Sequence, residues 1–137
     1  MEEIKQEGKQ ITLDEASRLD VLDNKYFKPM VNVQYRLTFK SWEMVRKLIR
    51  DYNDHTKMEE KNVLILLVDS IDGVKCPRIQ EYSVISKPAR DAFEPYLRSG
   101  SITKKVINYK MVELGGKQNK RTYQISEVSD KDADAFL

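Results

Sequence analysis

Cysteine and histidine are almost missing from this chain: Cys76 and His55 are the only ones in 137 residues. A single thiol forms no intramolecular disulfide, and one Cys with one His builds none of the four-ligand sets that hold structural zinc. Any Ser/His/Asp or Cys/His mechanism would have to use His55. It lies in a polar stretch between Asp54 and Thr56 with no flanking motif, so the chain reads as non-catalytic. Of the five glycines, the adjacent pair Gly115-Gly116 lacks the spacing of a phosphate loop or a dinucleotide fingerprint. Long apolar runs are also missing. The longest, VLILLV at 63–68, falls far short of the roughly 20 residues of a membrane helix. The opening MEEIKQEGKQ carries no secretory pattern. The expectation is a cytoplasmic protein (host cytoplasm for a viral chain) without metal or cofactor, in which Cys76 is a small, partly buried hydrophobe.

What is present fits one domain with a modest core: 40% of residues are hydrophobic and 34% charged. The formal net charge of +2 conceals a segregation along the chain. Residues 1–24 carry three basic and seven acidic groups, whereas residues 101–126 set six cations against Glu113 alone. Residues 127–137 reverse the sign again, with four acids against Lys131. Such asymmetry bears on partners more than on fold. The chain divides into an acidic N-terminal segment (1–24) with a short helix, a basic domain (25–128) and a flexible acidic tail (129–137).

Hydrophobic periodicity supplies the elements. In ITLDEASRLDVLD, Thr12 caps a short helix that carries Leu13, Ala16 and Leu19 on one side. VNVQYRLTF at 31–39 alternates strictly and reads as a half-buried strand. Ser41 then looks like an N-cap, and Trp42, Val45, Leu48, Ile49 and Tyr52 recur at helical spacing, so a helix is expected over 42–53. NDHTKMEEK is a loop, NVLILLV a central strand, and the Asp72-Gly73 pair a hairpin turn into the alternating RIQEYSVI. Ser86 and Pro88 open a second helix with Ala89, Phe93 and Leu97 on one face, ending near Ser99-Gly100. KKVINYKMVEL and RTYQISEV form the last two strands around Gly115-Gly116.

The result is a β-rich α+β domain, an OB-like five-stranded barrel or sheet with two to three helices. A helix between the third and fourth strands is the order of the OB-fold, which often binds oligonucleotides. The helix at 42–53 would be an insertion between the first two strands, and a plain α+β sandwich is the alternative.

Three features carry possible chemistry. In the last hairpin, Lys104, Lys105, Lys110, Lys117, Lys120 and Arg121 are interleaved with Tyr109 and Tyr123. Cations that follow phosphates beside rings that stack on bases hold single strands without reading sequence. The same pattern also describes lysines that blunt an edge strand over two core tyrosines. Asp69 and Asp72, at the end of the apolar strand, are positioned as a magnesium pair for a nuclease would be. Asp-Gly is more simply a turn, however, and Glu81-Tyr82-Ser83 supplies no Glu-x-Lys partner.

The third feature is the terminal SDKDADAFL, three aspartates (Asp130, Asp132, Asp134) followed by Phe136 and Leu137. With the basic region ahead of it, and the pattern DG, YSVISKPARDAFEPYL and GGKQNKRTYQISEV over residues 62–137, this stretch resembles bacterial and bacteriophage single-stranded-DNA-binding proteins. Ala-Phe-Leu stands where bacterial tips end in Pro-Phe. The resemblance implies a sequence-tolerant binder of single-stranded nucleic acid, DNA before RNA, in replication, recombination or repair. It also implies a tail that recruits replication or repair proteins, and it is compatible with a homo-oligomer. A non-catalytic protein-interaction adaptor and a Mg²⁺-dependent nuclease are the alternatives.

Overall fold

A computed structural model describes residues 8, 10–50, 56–114 and 120–131. Two α-helices and five strands follow in the order α1 (Leu13–Leu22), β1 (Gln34–Arg50), β2 (Met58–Ile71), β3 (Val74–Val84), α2 (Lys87–Ser99), β4 (Lys105–Glu113) and β5 (Arg121–Asp130). A single 3₁₀ turn, Ser101–Thr103, joins α2 to β4. The strands form one antiparallel sheet ordered β3-β2-β1-β4-β5. β3 and β5 are therefore its two end strands.

Both helices begin where their side chains can satisfy free backbone amides. At α1, the Thr12 hydroxyl accepts from the Glu15 amide at 3.0 Å while the Glu15 carboxylate accepts from the Thr12 amide at 3.2 Å, a reciprocal capping box. At α2, the Ser86 hydroxyl accepts from the Ala89 amide at 3.4 Å, and Gly100, at φ 80, ends the helix in a left-handed conformation that glycine adopts without Cβ strain. The β2–β3 turn places Asp72 (φ 53) and Gly73 (φ 82) both at positive φ, the geometry of a two-residue hairpin turn that matches strand twist.

The helix expected over 42–53 does not form in its described part, 42–50. Residues 42–50 continue β1, and their ladder with β2 runs from Ser41↔Leu67 to Arg50↔Met58. Register irregularities at Thr38/Phe39 and Phe39/Ser41 supply the reason. An extra residue in a bulge shifts the inward-outward alternation by one, so apolar residues before and after it fall out of phase and imitate a change of period. The loop expected at 53–61 is likewise strand from Met58 onward, while 51–55, with His55, lie outside the described residues. There are thus two α-helices in the described chain.

The core lies between α2 and the inner face of the sheet. Leu37, Phe39, Leu64, Leu66, Val68, Ile107 and Tyr109 come from the strands, and Ala89 and Phe93 from the helix. Tyr109 is 0% exposed. Its ring stacks on Phe93 at 5.3 Å and on Tyr123 at 6.5 Å, and it meets Tyr82 edge-on at 5.8 Å. Its hydroxyl is hydrogen-bonded to that of Tyr82. The Tyr96 hydroxyl of α2 donates to the Ile125 carbonyl of β5 at 2.9 Å. Cys76 is buried, as its composition suggested, and its thiol is pushed up to about 11, first by burial and then by the charge of Asp69.

The Tyr109 ring touches side chains of β3, β5 and α2, so its removal should be felt throughout the domain. Tyr109→Ala should cost about 3–5 kcal/mol in urea unfolding, as large aromatic truncations in cores do. Tyr109→Phe, which loses only the hydroxyl bond, should cost about 1 kcal/mol. Equal costs for the two would show that the ring is not what joins the end strands.

Candidate nucleic-acid interface

The segment before β1 creates the site. The Phe27 amide donates to the Glu81 carbonyl at 2.9 Å and the Glu81 amide donates to the Lys25 carbonyl at 3.0 Å, so residues 25–27 lie along the outer edge of β3. Phe27 is driven inward by its apolar ring and meets Tyr35 at 5.2 Å and Tyr82 at 5.3 Å, both edge-on. Its neighbours Tyr26 and Lys28 are thereby left facing solvent.

A cleft of about 380 Å³ opens where this segment and β3 face β5. Tyr26, Tyr82, Met111, Tyr123, Lys28 and Arg121 are among the residues that line it. The Tyr26 ring is 45% exposed, with the Lys25 ammonium 5.3 Å from its centroid, an arrangement of cation over ring. Tyr82 and Tyr123 are half-buried, with their inner sides against Phe27 and Tyr109. The Tyr82 phenol is pushed up to about 12, chiefly by burial. Its bond to Tyr109 and the positive charge of Arg121 pull the other way.

The last hairpin does not gather its cations into one patch. Arg121 pairs with Glu113 in register and Tyr123 with Met111, on the sheet face that reaches the cleft. Lys110 pairs with Gln34 and Gln124 and, by alternation, takes the other face. Lys104 and Lys105 stand at the opposite end of β4, about 26 Å from Glu113 at strand rise. Lys105 is bound to Asp130, which holds its ammonium protonated beyond the usual lysine range. Lys120 lies at the hairpin end, where the Leu114 amide donates to its carbonyl at 2.9 Å. Lys117 and the Gly115-Gly116 turn lie outside the described residues.

Two expectations need correction. Tyr109 cannot stack on a base, because its ring is enclosed between Phe93 and Tyr123. The segment 129–137 is not all tail: β5 runs through Asp130, and the Lys131 ammonium donates to the Asp69 carboxylate at 2.7 Å and to the Phe39 carbonyl at 3.0 Å. Asp132, Asp134, Phe136 and Leu137 lie outside the described residues.

Asp69 and Asp72 are each engaged by the protein itself. Asp69 accepts from the Thr38 hydroxyl and from Lys131, and Asp72 accepts from the Arg36 amide at 2.8 Å. Both carboxylates bind neighbouring strands. Among the described residues, no group of three His, Cys, Asp or Glu side chains comes together.

Lys25 and Lys28 are not singled out by the sequence, and Tyr26, which with Phe27, Tyr35, Trp42 and Tyr82 reads from sequence as core rather than platform, is instead exposed, as is Trp42. The signal was the cluster KYFKP, in which two cations bracket two rings ahead of the first strand. No protein-family model, curated protein or solved structure matches the chain.

A raised phenol resists ionisation in the folded state while the unfolded tyrosine loses its proton near pH 10. The stability contributed by Tyr82 should therefore be complete below about pH 10 and disappear between there and about pH 12. Spectrophotometric titration of wild type against Tyr82→Phe should show one late-titrating phenol missing from the variant. A normal titration midpoint for that phenol would mean that the cleft floor is wet.

Proposed function

We propose that this chain binds single-stranded nucleic acid, DNA foremost, with little sequence preference. The observation that carries the reading is the cleft between the end strands, where Tyr26 and Tyr123 offer ring surface beside Lys28 and Arg121. Every base has a stackable face and every nucleotide a phosphate, so rings interleaved with cations fit a strand irrespective of sequence.

The sheet order, with α2 between β3 and β4, supports an OB-type barrel left open between its third and fifth strands. In this reading Lys25, Lys28, Lys120 and Arg121 contact the backbone and Tyr26 is the principal stacking ring. Tyr123 contributes its half-exposed side. Lys104 and Lys110 do not belong to this site, and Lys105 is occupied by Asp130. The acidic residues after Lys131 recruit partners in replication, recombination or repair, and the chain performs no catalysis of its own.

Anisotropy titrations with labelled single-stranded DNA, single-stranded RNA and duplex, each at two salt concentrations, test this directly. Three or four phosphate contacts at about 0.7 each should give a log–log salt slope near −2 to −3 on a single strand. Tyr26→Ala should weaken binding by about 1–3 kcal/mol with that slope unchanged, because stacking releases no counterion. Arg121→Ala should flatten it by about 0.7. Equal affinity for duplex, or an affinity indifferent to salt, would sink the proposal.

A further inference from the structure

β1 and β2 extend well beyond the rest of the sheet. β4 pairs with β1 only over Gln34–Leu37, and β3 pairs with β2 only from Leu64 onward. From Val45↔Val63 to Arg50↔Met58 the two strands therefore form a ribbon by themselves. Among the described residues, the outer edge of β1 beyond Ser41 and that of β2 before Leu64 carry no further strand. An isolated two-stranded ribbon is marginal in water, and open edges invite pairing with another chain.

Side chains on this arm add to the anomaly. Register places Trp42, Met44, Leu48 and Met58 on one face, beside Arg46, Arg50 and Glu60, and the four apolar residues are 38%, 46%, 61% and 53% exposed. Trp42 and Met44 line a groove against α2, but Leu48 and Met58 stand farther out. On the other face Lys47 opposes Lys61 directly, a like-charge pair that works against the ribbon. Lys61 turns to Glu59 at 3.6 Å and Arg46 reaches Glu60 at 3.7 Å. Both pairs are exposed and so worth little. Lys47 and Arg50 have no acidic partner among the described residues.

The two free edges thus differ in sign: β1 presents Arg46, Lys47 and Arg50 against Glu43, while β2 presents Glu59 and Glu60 against Lys61. We propose that the arm is a self-association element in which the β1 edge of one copy pairs with the β2 edge of the next. The charge pattern selects this arrangement. Two β1 edges would oppose cations to cations, whereas β1 against β2 brings Lys47 and Arg50 to Glu59 and Glu60 of the neighbour. Such a contact is heterologous, so it builds open chains of copies rather than closed dimers. It makes no use of the cleft and stands or falls independently of the nucleic-acid reading.

Charge reversal tests it on the full chain without nucleic acid, by sedimentation velocity over a hundredfold concentration range at low salt. Wild type should show a sedimentation coefficient that climbs with concentration and falls back when salt is added. Lys47→Glu with Arg50→Glu, and separately Glu59→Lys with Glu60→Lys, should each raise the concentration needed for association at least tenfold. Their equimolar mixture should recover it, because each variant then offers the other a complementary edge. Circular dichroism melts of both variants establish that they fold. The proposal is overturned by a wild type that stays monomeric throughout, by variants that associate as wild type does, or by a mixture that fails to recover. A monomeric wild type whose arm variants lose oligonucleotide affinity would assign the arm to nucleic acid instead.

Discussion

The two end strands of this sheet share no backbone ladder among the described residues, and what spans the distance between them is aromatic. Tyr82 from β3, Tyr109 from β4 and Tyr123 from β5 meet ring to ring, with Phe93 of α2 beneath and Phe27 completing the row from the N-terminal side. Ring contacts hold by area and shape and leave the strand edges free of hydrogen-bonded closure. A continuous ladder would have sealed the sheet. A row of rings keeps the two sides together while leaving their outer surfaces available, and the cleft is the visible result.

This arrangement explains why the same residue types serve opposite ends. Tyr109 and Tyr123 are neighbours across the stack, yet one is sealed and the other half-exposed, since β5 is an end strand and β4 is not. Tyr26 and Phe27 are consecutive and point opposite ways because a strand alternates. Their division of labour, one ring holding the segment and one offered to solvent, follows from a single pairing with Glu81.

Much of the architecture was legible in the sequence. α2 was readable from Ser86, Pro88 and the Ala89–Phe93–Leu97 stripe, the β2–β3 turn from Asp72-Gly73, and α1 from Thr12. The failure at 42–50 was physical: a bulge is a register event between two strands, and one strand's sequence does not contain it. The candidate site was only half legible for a similar reason. Arg121 and Tyr123 sit in a recognisable hairpin, but their companions Tyr26 and Lys28 come from a segment nearly a hundred residues earlier, which becomes relevant only once it lies along β3. Lys104, Lys105 and Lys110 looked like one cluster because they are close in sequence, whereas strand length and alternation send them to different places.

Lys131 carries a consequence for the order of events during synthesis. Its ammonium, at the far end of β5, binds the carbonyl of Phe39 at the β1 irregularity and the carboxylate of Asp69 in β2. The central strands are among the first to emerge from the ribosome, yet this anchor for them is made last. β1, β2 and β3 can pair as a meander while Asp69 still lacks its cation, and the row of rings cannot be completed before Tyr109 and Tyr123 appear. The packing of the strands made first therefore depends on side chains that are made after them.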